Sequence, residues 1–591
     1  MPQKSYSTFL AEHTDRFNTL SKKLRTVSIG RLVTFTTILV LIYFYFQSRQ
    51  NVVLVLMAAF FVAFVFLVRL YNQLYTKKEF VNALMEINKN EIDFLEKKVL
   101  PFADGGEFID PTHPYSFDLD FFGPRSLFQT LNRTETYIGK KILAANLLSL
   151  KSKGSILSTQ KAVAELASDL PWRQAVSAQS KVKPDSCDIH ENMAKWMKSK
   201  IQHIPKFYDF ASYILPVIFI GLTTYNIIFE AGIGEKCFYL FLINLGLVAR
   251  NLKAIKMELV QSTNIDRTLK NYSQILSKIE NKKFDSTALV DLQIRLTKNK
   301  ISASSEMNRL SQLFGQLDNI LNPAAMILMN GFFMYHLHTM RNLTKWKKQN
   351  AEDVMNWIQV MGEFEALNSF ANLSYNNPDF VFPELNEEHI IQFESLGHPL
   401  LDRNQRVTSN VSFDKEKFII LSGSNMSGKS TFLRSLGVNM VLGGIGAPIC
   451  ASKANIHAIP VYVSMRVSDS LNDNESFFFA EVKRLKEVMD AADEQVTFVL
   501  LDEILRGTNS DDKRTGTVAV VKKIISKNGI GALATHDLKV CDTTAEFPNQ
   551  LTNKCFEVEI VDNDLHFDYT LREGICKNKS ATFLMKKMKV I

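Results

Sequence analysis

The sequence predicts a multidomain protein with three kinds of structure: transmembrane helical hairpins, an α-helical core, and a C-terminal α/β domain of the P-loop kind. Three observations predict it. Apolar stretches come in two closely spaced pairs. The segments between and after them carry apolar residues at threes and fours among many charges. A complete G-x-x-x-x-G-K-S at 423–430 stands between a strand-like run and a helix start. At 591 residues the chain is too long for one hydrophobic core.

The first apolar pair is 32–46 (LVTFTTILVLIYFYF) and 52–68 (VVLVLMAAFFVAFVFLV), separated only by Gln47, Ser48, Arg49, Gln50 and Asn51. Flanking residues extend both toward the ~20 residues of a bilayer span. A cleaved signal peptide fits poorly, because a polar tail precedes the first run and a second apolar run follows at once. A buried core hairpin is the competing reading, but neither run shows a polar face at helical spacing. The second pair is 210–229, with Pro216 and Gly221, and the shorter 237–249. Proline and glycine are tolerated in membrane helices.

Basic residues are placed consistently. Lys22, Lys23, Arg25 and Arg31 precede the first run, and Arg69, Lys77 and Lys78 follow the second. Lys198, Lys200 and Lys206 precede the third, and Arg250, Lys253 and Lys256 follow the fourth. The two connecting turns carry only Arg49 and Lys236. By the positive-inside rule both hairpins start and end in the cytoplasm. A fifth run, 324–340, holds Asn330, His336 and His338. Crossing there would export the C-terminal domain, so a buried or interfacial helix is expected, with the histidines as core or surface residues.

The expected organisation is a cytoplasmic tail over 1–28, a hairpin over 29–70, and the first part of a helical core over 71–205. A second hairpin over 206–250, the rest of the core over 251–385 and the α/β domain over 386–591 follow. The expected location is a bacterial-type inner membrane, multi-pass, with the α/β domain in the cytoplasm. Composition excludes little beyond this. The chain has 43 Phe and a net charge of +8, compatible with nucleic acid or anionic lipid. Its six cysteines form no C-x-x-C pair, which argues against a zinc site or a disulfide framework.

In the helical core, 81–100 carries Leu84, Ile87, Ile92, Leu95 and Val99 at amphipathic spacing. Residues 254–321 do the same with Met307, Leu310, Leu313, Leu317 and Ile320.

The α/β domain carries the chemistry. Phe418-Ile-Ile-Leu421 reads as a strand leading into Gly423-Ser-Asn-Met-Ser-Gly428-Lys429-Ser430, and Thr431 to Leu436 as the start of a helix. Glycines let backbone amides approach and cradle phosphates, helped by the helix N-terminus. Lys429 is expected on the β- and γ-phosphates and Ser430 on Mg²⁺. Val496-Thr-Phe-Val-Leu-Leu501 then delivers Asp502 and Glu503 at the end of a buried strand, the Walker B arrangement. Asp502 is expected in the Mg²⁺ shell, and Glu503 to polarise the attacking water.

The order of motifs resembles the MutS DNA mismatch-repair family. Residues 422–431, S-G-S-N-M-S-G-K-S-T, are similar to its T-G-P-N-M-x-G-K-S-T, with Asn425-Met426 as the distinctive centre and Thr431 at the end. Gly397-His398-Pro399, Gly446-Ala447-Pro448, Arg466-Val467, Ser476-Phe477 up to Glu481, Asp502 to Thr508, and Ala534-Thr535-His536 resemble further family segments. Upstream, 121–148 and 363–385 resemble the two ends of the family's helical core, through Leu127-Phe128, Asn132, Thr134, Thr136 and Gly139. The resemblance implies an ABC-like P-loop ATPase fold of the MutS type, with ATP and Mg²⁺ as cofactors. It adds Gly423, Asn425, Met426, Gly428 and Thr431 to the nucleotide contacts and a γ-phosphate-sensing, catalytic role for His536. It also implies an ATP-dependent homodimer in which Ser476 touches the nucleotide of the partner.

The departures are specific. Phe477 stands where the family has Thr, Asn474 where Gly is common, and Val407 where many members stack an aromatic on adenine. With the sequence running only a little past Gly574 and Ser580, the family's C-terminal dimerisation helices are not expected. A mismatch-reading domain with its Phe-x-Glu wedge is not expected, and Phe94-Leu95-Glu96 reads as coincidence within a charged helix. The expected function is a membrane-anchored MutS-like ATPase that binds DNA without mismatch readout. The alternative is an ATP-driven membrane machine whose hairpins move and whose substrate is not DNA. An ABC transporter is disfavoured, because Asn472-Asp-Asn-Glu-Ser-Phe477 stands where an L-S-G-G-Q-like segment belongs.

Overall fold

The computed structural model describes residues 2–96, 99–183, 185–200, 205–260, 265–298, 301–318, 322–466, 477–527, 529–561 and 564–577. It is a multidomain, helix-rich chain with a C-terminal α/β unit.

The first apolar pair forms one long antiparallel hairpin, α1 (Pro2–Ser48) and α2 (Asn51–Leu95), turned at Arg49 with φ 48°. Neither helix stops where its apolar run stops. α1 is helical through the polar tail, and α2 carries its apolar run straight into the amphipathic stretch after 80. The second apolar pair forms α8 (Lys206–Phe229) and α9 (Gly234–Val260), turned through Glu230 and Gly232, both at positive φ. These four helices are long and apolar enough to cross a membrane, by length and composition. Their apolar side chains face outward, Val62 at 67% and Val217 at 70% exposure.

Between the hairpins lie α3 to α7 (Leu127–Leu131, Tyr137–Leu148, Lys153–Ser168, Leu170–Val182, Cys187–Lys198). Local sequence starts several of them. Ser126, Thr136, Asp169 and Ser186 each accept a hydrogen bond from an amide in the first turn of α3, α4, α6 and α7. After the second hairpin come α10 (Ile265–Glu280), α11 (Thr287–Ile294), a small hairpin of β1 (Thr297–Lys298) and β2 (Ile301–Ser302), and α12 (Ala303–Asp318).

The fifth apolar run is not one helix. It breaks at Met334, φ 47°, into α13 (Pro323–Phe333) and the start of α14 (Tyr335–Asn376). α14 is 42 residues long, and the segment after it enters the α/β unit, where Val381 bridges Ile449. It crosses α4 closely, with no room for a Cβ at Gly139 because the Glu365 carboxylate lies there.

Two sheets build the C-terminal unit. The smaller holds β3 (Glu384–Leu385), β4 (Gln392–Leu396), β5 (Ser409–Ser412) and, beyond β6 (Phe418–Gly423), β7 (Lys453–Ile456), in the order β3-β7-β4-β5. The larger combines β6 with β8 (Val461–Ser464), β9 (Phe498–Asp502), β10 (Ile530–Thr535), β11 (Leu551–Phe556) and β14 (Leu571–Glu573). Its order is β14-β11-β6-β10-β9-β8, parallel except for β14. Between β11 and β14 lie β12 (Glu559–Val561) and β13 (Asp564–His566), an antiparallel pair. Every residue of β6, β9 and β10 is buried, as a parallel strand covered on both faces requires.

α15 (Lys429–Ile445) covers one face of this sheet. α16 (Phe477–Glu494), α17 (Ser510–Ser526) and α18 (Leu538–Cys541) cover the other, with α19 (Thr543–Glu546) after them. The core on the α15 side continues without a gap into the helical core. The segment before α3 joins them: Asp118 Oδ1 accepts the amides of Met465 and Arg466 at 2.7 Å each, and Leu119 packs on Gly437.

Candidate functional site

β6 ends at Gly423, the chain turns through residues 424–428, and α15 begins at Lys429. Two positions show why the loop has its composition. Gly428 has φ 110°, a conformation glycine takes without strain, and a Cβ on Gly423 would press on Ser427 Oγ at 2.7 Å. Met426 sits at φ 65° with 78% of its surface exposed. Lys429 bends back over the loop, its Nζ donating to the carbonyls of Gly423 and Ser424 at 2.9 Å each. Burial lowers its ammonium pKa, against the opposing pull of Glu503 and Asp502.

β9 and β10, the strands beside β6, bring the acidic and histidine side chains to the same edge. Ser430 Oγ donates to Asp502 Oδ2 at 2.6 Å. Glu503 has φ 49° and its amide donates to Ala534 O at 3.0 Å, which aims the carboxylate into the cleft. There it pairs with His536 Nε2, which also lies 3.4 Å from Lys429 Nζ. The histidine hydrogen bond, more than any charge nearby, holds the Glu503 carboxyl down to about 2. Glu503 is therefore ionised throughout the physiological range. Glu481 braces the turn from behind, accepting the amides of Leu505 at 2.6 Å and Arg506 at 3.0 Å. Arg506 in turn donates to the carbonyls of Glu503 and Asp502.

Lys429, Ser430, Glu503 and His536 line a cavity of about 700 Å³, which also takes in Asn425, Met426, Gly428 and Thr431, with Asp502 held behind Ser430. That volume is in the range of small-molecule sites. The pieces fit a magnesium-bound triphosphate. A hydroxyl and a carboxylate already share one point, an ammonium is held by two carbonyls beside His536, and Ser427 Oγ is buried with no hydrogen-bond partner.

The fold thus brings together Gly423, Asn425, Met426, Gly428, Lys429, Ser430, Thr431, Asp502, Glu503 and His536. Ser476 lies outside the described residues, as does Val467. His398 reaches the cavity too, its imidazole pushed down to about 4 by burial. Sequence reasoning missed Tyr569, which lines the cavity with Val407 and lies 3.1 Å from where a Gly428 Cβ would be. Nothing local marks it, since it sits in the short link Phe567-Asp-Tyr-Thr570 between β13 and β14.

Comparison with known proteins agrees with this arrangement. The sequence profile described as MutS domain V matches residues 419–589, which contain the loop, both carboxylates and the histidine. The chain is 25% identical over 486 residues to the DNA mismatch repair protein MutS of Aquifex pyrophilus, covering 76% of this chain and 56% of that one. These matches support a MutS-family assignment. MutS protein homolog 4 of Homo sapiens is 28% identical over 213 residues, 34% of this chain and 22% of its own. The DNA mismatch repair protein MutS of Haloquadratum walsbyi is 30% identical over 231 residues, 38% of this chain and 23% of its own. The chain therefore spans between about a fifth and just over half the length of these MutS relatives.

Proposed function

We propose that the protein is a membrane-anchored P-loop ATPase that uses ATP to drive a conformational change on DNA, without reading mismatches. The observation that carries this is the convergence of Lys429, Ser430, Asp502, Glu503 and His536 on one cavity. ATP is the substrate. The loop 423–428 cradles its phosphates, and Lys429 exchanges two backbone carbonyls for phosphate oxygens. Ser430 and Asp502 hold Mg²⁺, which when bound neutralises phosphate charge. Glu503, kept ionised by His536, orients the attacking water, and His536 reports on the terminal phosphate. Tyr569 and Val407 flank the base, so the aromatic comes from the C-terminal strands. Ser476 completes the site of a second copy, which makes the working unit an ATP-dependent homodimer.

DNA as the partner rests on the MutS relatives, and the lack of mismatch readout on the apolar hairpin that α1 and α2 form in the N-terminal region. The membrane reading rests on the four apolar helices and the Lys/Arg placement. It puts the protein in a bacterial-type inner membrane with the C-terminal unit in the cytoplasm, and keeps the domain limits of 28, 70, 205, 250 and 385. A second reading, a membrane machine without DNA, is favoured by the continuity of α14, which packs on α8 and α9 at one end and further along on α4 and α5, the helices that touch α15.

The deciding experiment is ATP hydrolysis by the purified protein with and without matched, mismatched and branched duplexes, at two salt concentrations. Stimulation that is blind to mismatches and lost at high salt supports the DNA reading. ATPase activity indifferent to every DNA favours the membrane machine. Equal nucleotide binding by Lys429→Ala and wild type sinks both.

A further inference from the structure

The break at Met334 lies against the second hairpin. Phe332 of α13 packs edge-on against Phe219 of α8 and Phe241 of α9, with ring centroids 5.3 Å and 5.7 Å away. From there α14 runs back toward the end of α8 that leads to the helical core. His338 Nε2 lies 2.8 Å from the Ser212 carbonyl, and one turn later Arg341 pairs with Asp209 at 3.1 Å. α13 itself enters from the side of α12, in the same core. Entry and exit are therefore on one side. α13 has 11 residues, so it extends about 16 Å, near half the ~30 Å hydrocarbon thickness.

The backbone opened by the break is closed by two asparagines with no exposed surface. Asn330 Oδ1 accepts the His336 amide at 3.1 Å, serving the free N-terminus of α14. Asn244 Nδ2, from α9, donates to the Gly331 carbonyl at 2.8 Å, serving the end of α13. Non-helical backbone survives at membrane depth only when protein satisfies it in this way. Meanwhile Ile327, Leu328, Phe332 and Phe333 expose between 37% and 54% of their surface, beside the outward apolar face of α8.

We propose that α13 and the first turns of α14 form a re-entrant hairpin that contacts lipid acyl chains and turns back at Met334 without crossing. Its lipid is the leaflet on the side of the C-terminal unit, reached through Ile327, Leu328, Phe332 and Phe333. This rests on the membrane reading of the second hairpin. It also keeps the number of crossings even with a fifth apolar run present, and so leaves the C-terminal unit where the basic residues put it.

The test uses the full-length protein in vesicles carrying nitroxide-labelled lipids. A genetically encoded fluorescent amino acid replaces Leu328 or Phe333, both exposed positions, and separately Val217 as the reference for α8. The expected result is blue-shifted emission at all three, quenched by the labelled lipids and not by aqueous iodide. Iodide quenching at both Leu328 and Phe333 with Val217 in lipid overturns the re-entrant hairpin alone. Iodide quenching at Val217 removes the membrane reading of the second hairpin and the proposal with it. In sealed vesicles of known orientation, Lys345→Cys is expected to react with an impermeant maleimide from the side of the C-terminal unit, above the wild-type background of Cys187. Reaction only from the other side means that α13 crosses, and overturns the proposal.

Discussion

The C-terminal cavity and the break at Met334 are both places where the backbone leaves its regular path, and they treat polar groups in opposite ways. At the cavity, Met426, Glu503 and Leu505 have φ of 65°, 49° and 61°. The side chains aimed there face about 700 Å³ of space, held by one another and by carbonyls that a ligand can displace. At Met334, with φ 47°, the asparagines face packed protein and each closes a backbone group. A polar side chain beside a backbone break serves a ligand when it faces open space, and serves the fold when it does not.

Substitutions can break that contrast. The largest effect is expected from Glu503→Gln, which should keep nucleotide binding and lose turnover by roughly 10²–10⁴-fold, the usual scale of general-base catalysis. Lys429→Ala should instead lose the binding itself. ATP hydrolysis and fluorescent-nucleotide titration separate the two, and near-wild-type turnover by Glu503→Gln would remove the carboxylate from the chemistry. Asn330→Ala should do the reverse, leaving nucleotide affinity alone while costing about 1–3 kcal/mol for the orphaned His336 amide. Thermal unfolding in detergent measures it. A variant with normal melting and impaired ATP binding would merge the two regions into one.

Gly139→Ala sharpens the comparison at a point between them. The added methyl meets the Glu365 carboxylate at the crossing of α4 and α14, and overpacking there should cost about 1–3 kcal/mol. The smallest effect concerns that carboxylate itself, which accepts both the amide and the hydroxyl of Thr136. Burial raises its pKa from 4.5 to about 7. Between those values the folded protein keeps a proton that the unfolded chain has lost, so stability falls as pH rises, with a slope of about 1 kcal/mol per pH unit. Glu365→Gln should remove that slope in denaturation curves taken from pH 5 to 8. An unchanged slope would mean that Glu365 is solvated.

What could be read in the sequence depended on how local the determinant is. The phosphate-loop spacing, the acidic pair and the histidine each sit at the end of a buried strand, so local pattern located them. The apolar run 324–340 reads as one helix because hydropathy says nothing about φ, and the partner that closes its break, Asn244, is 87 residues from Gly331. Asp118 was equally silent, since the amides it binds lie almost 350 residues away. Phe94 shows a distant partner deciding a local motif. Its ring packs on Phe102 and under the Arg133 guanidinium, so Phe94 is committed to the protein's own packing.

The length of α14 sets a gear ratio between the two regions. Its 42 residues measure about 63 Å along the axis, so a tilt of about 5° about one end displaces the other by about 5 Å, one helical pitch. A small shift where Glu365 meets α4 would thereby be magnified at Met334. The amplification requires stiffness, and the helix supplies it by running unbroken from the turn at Met334 past its crossing with α4.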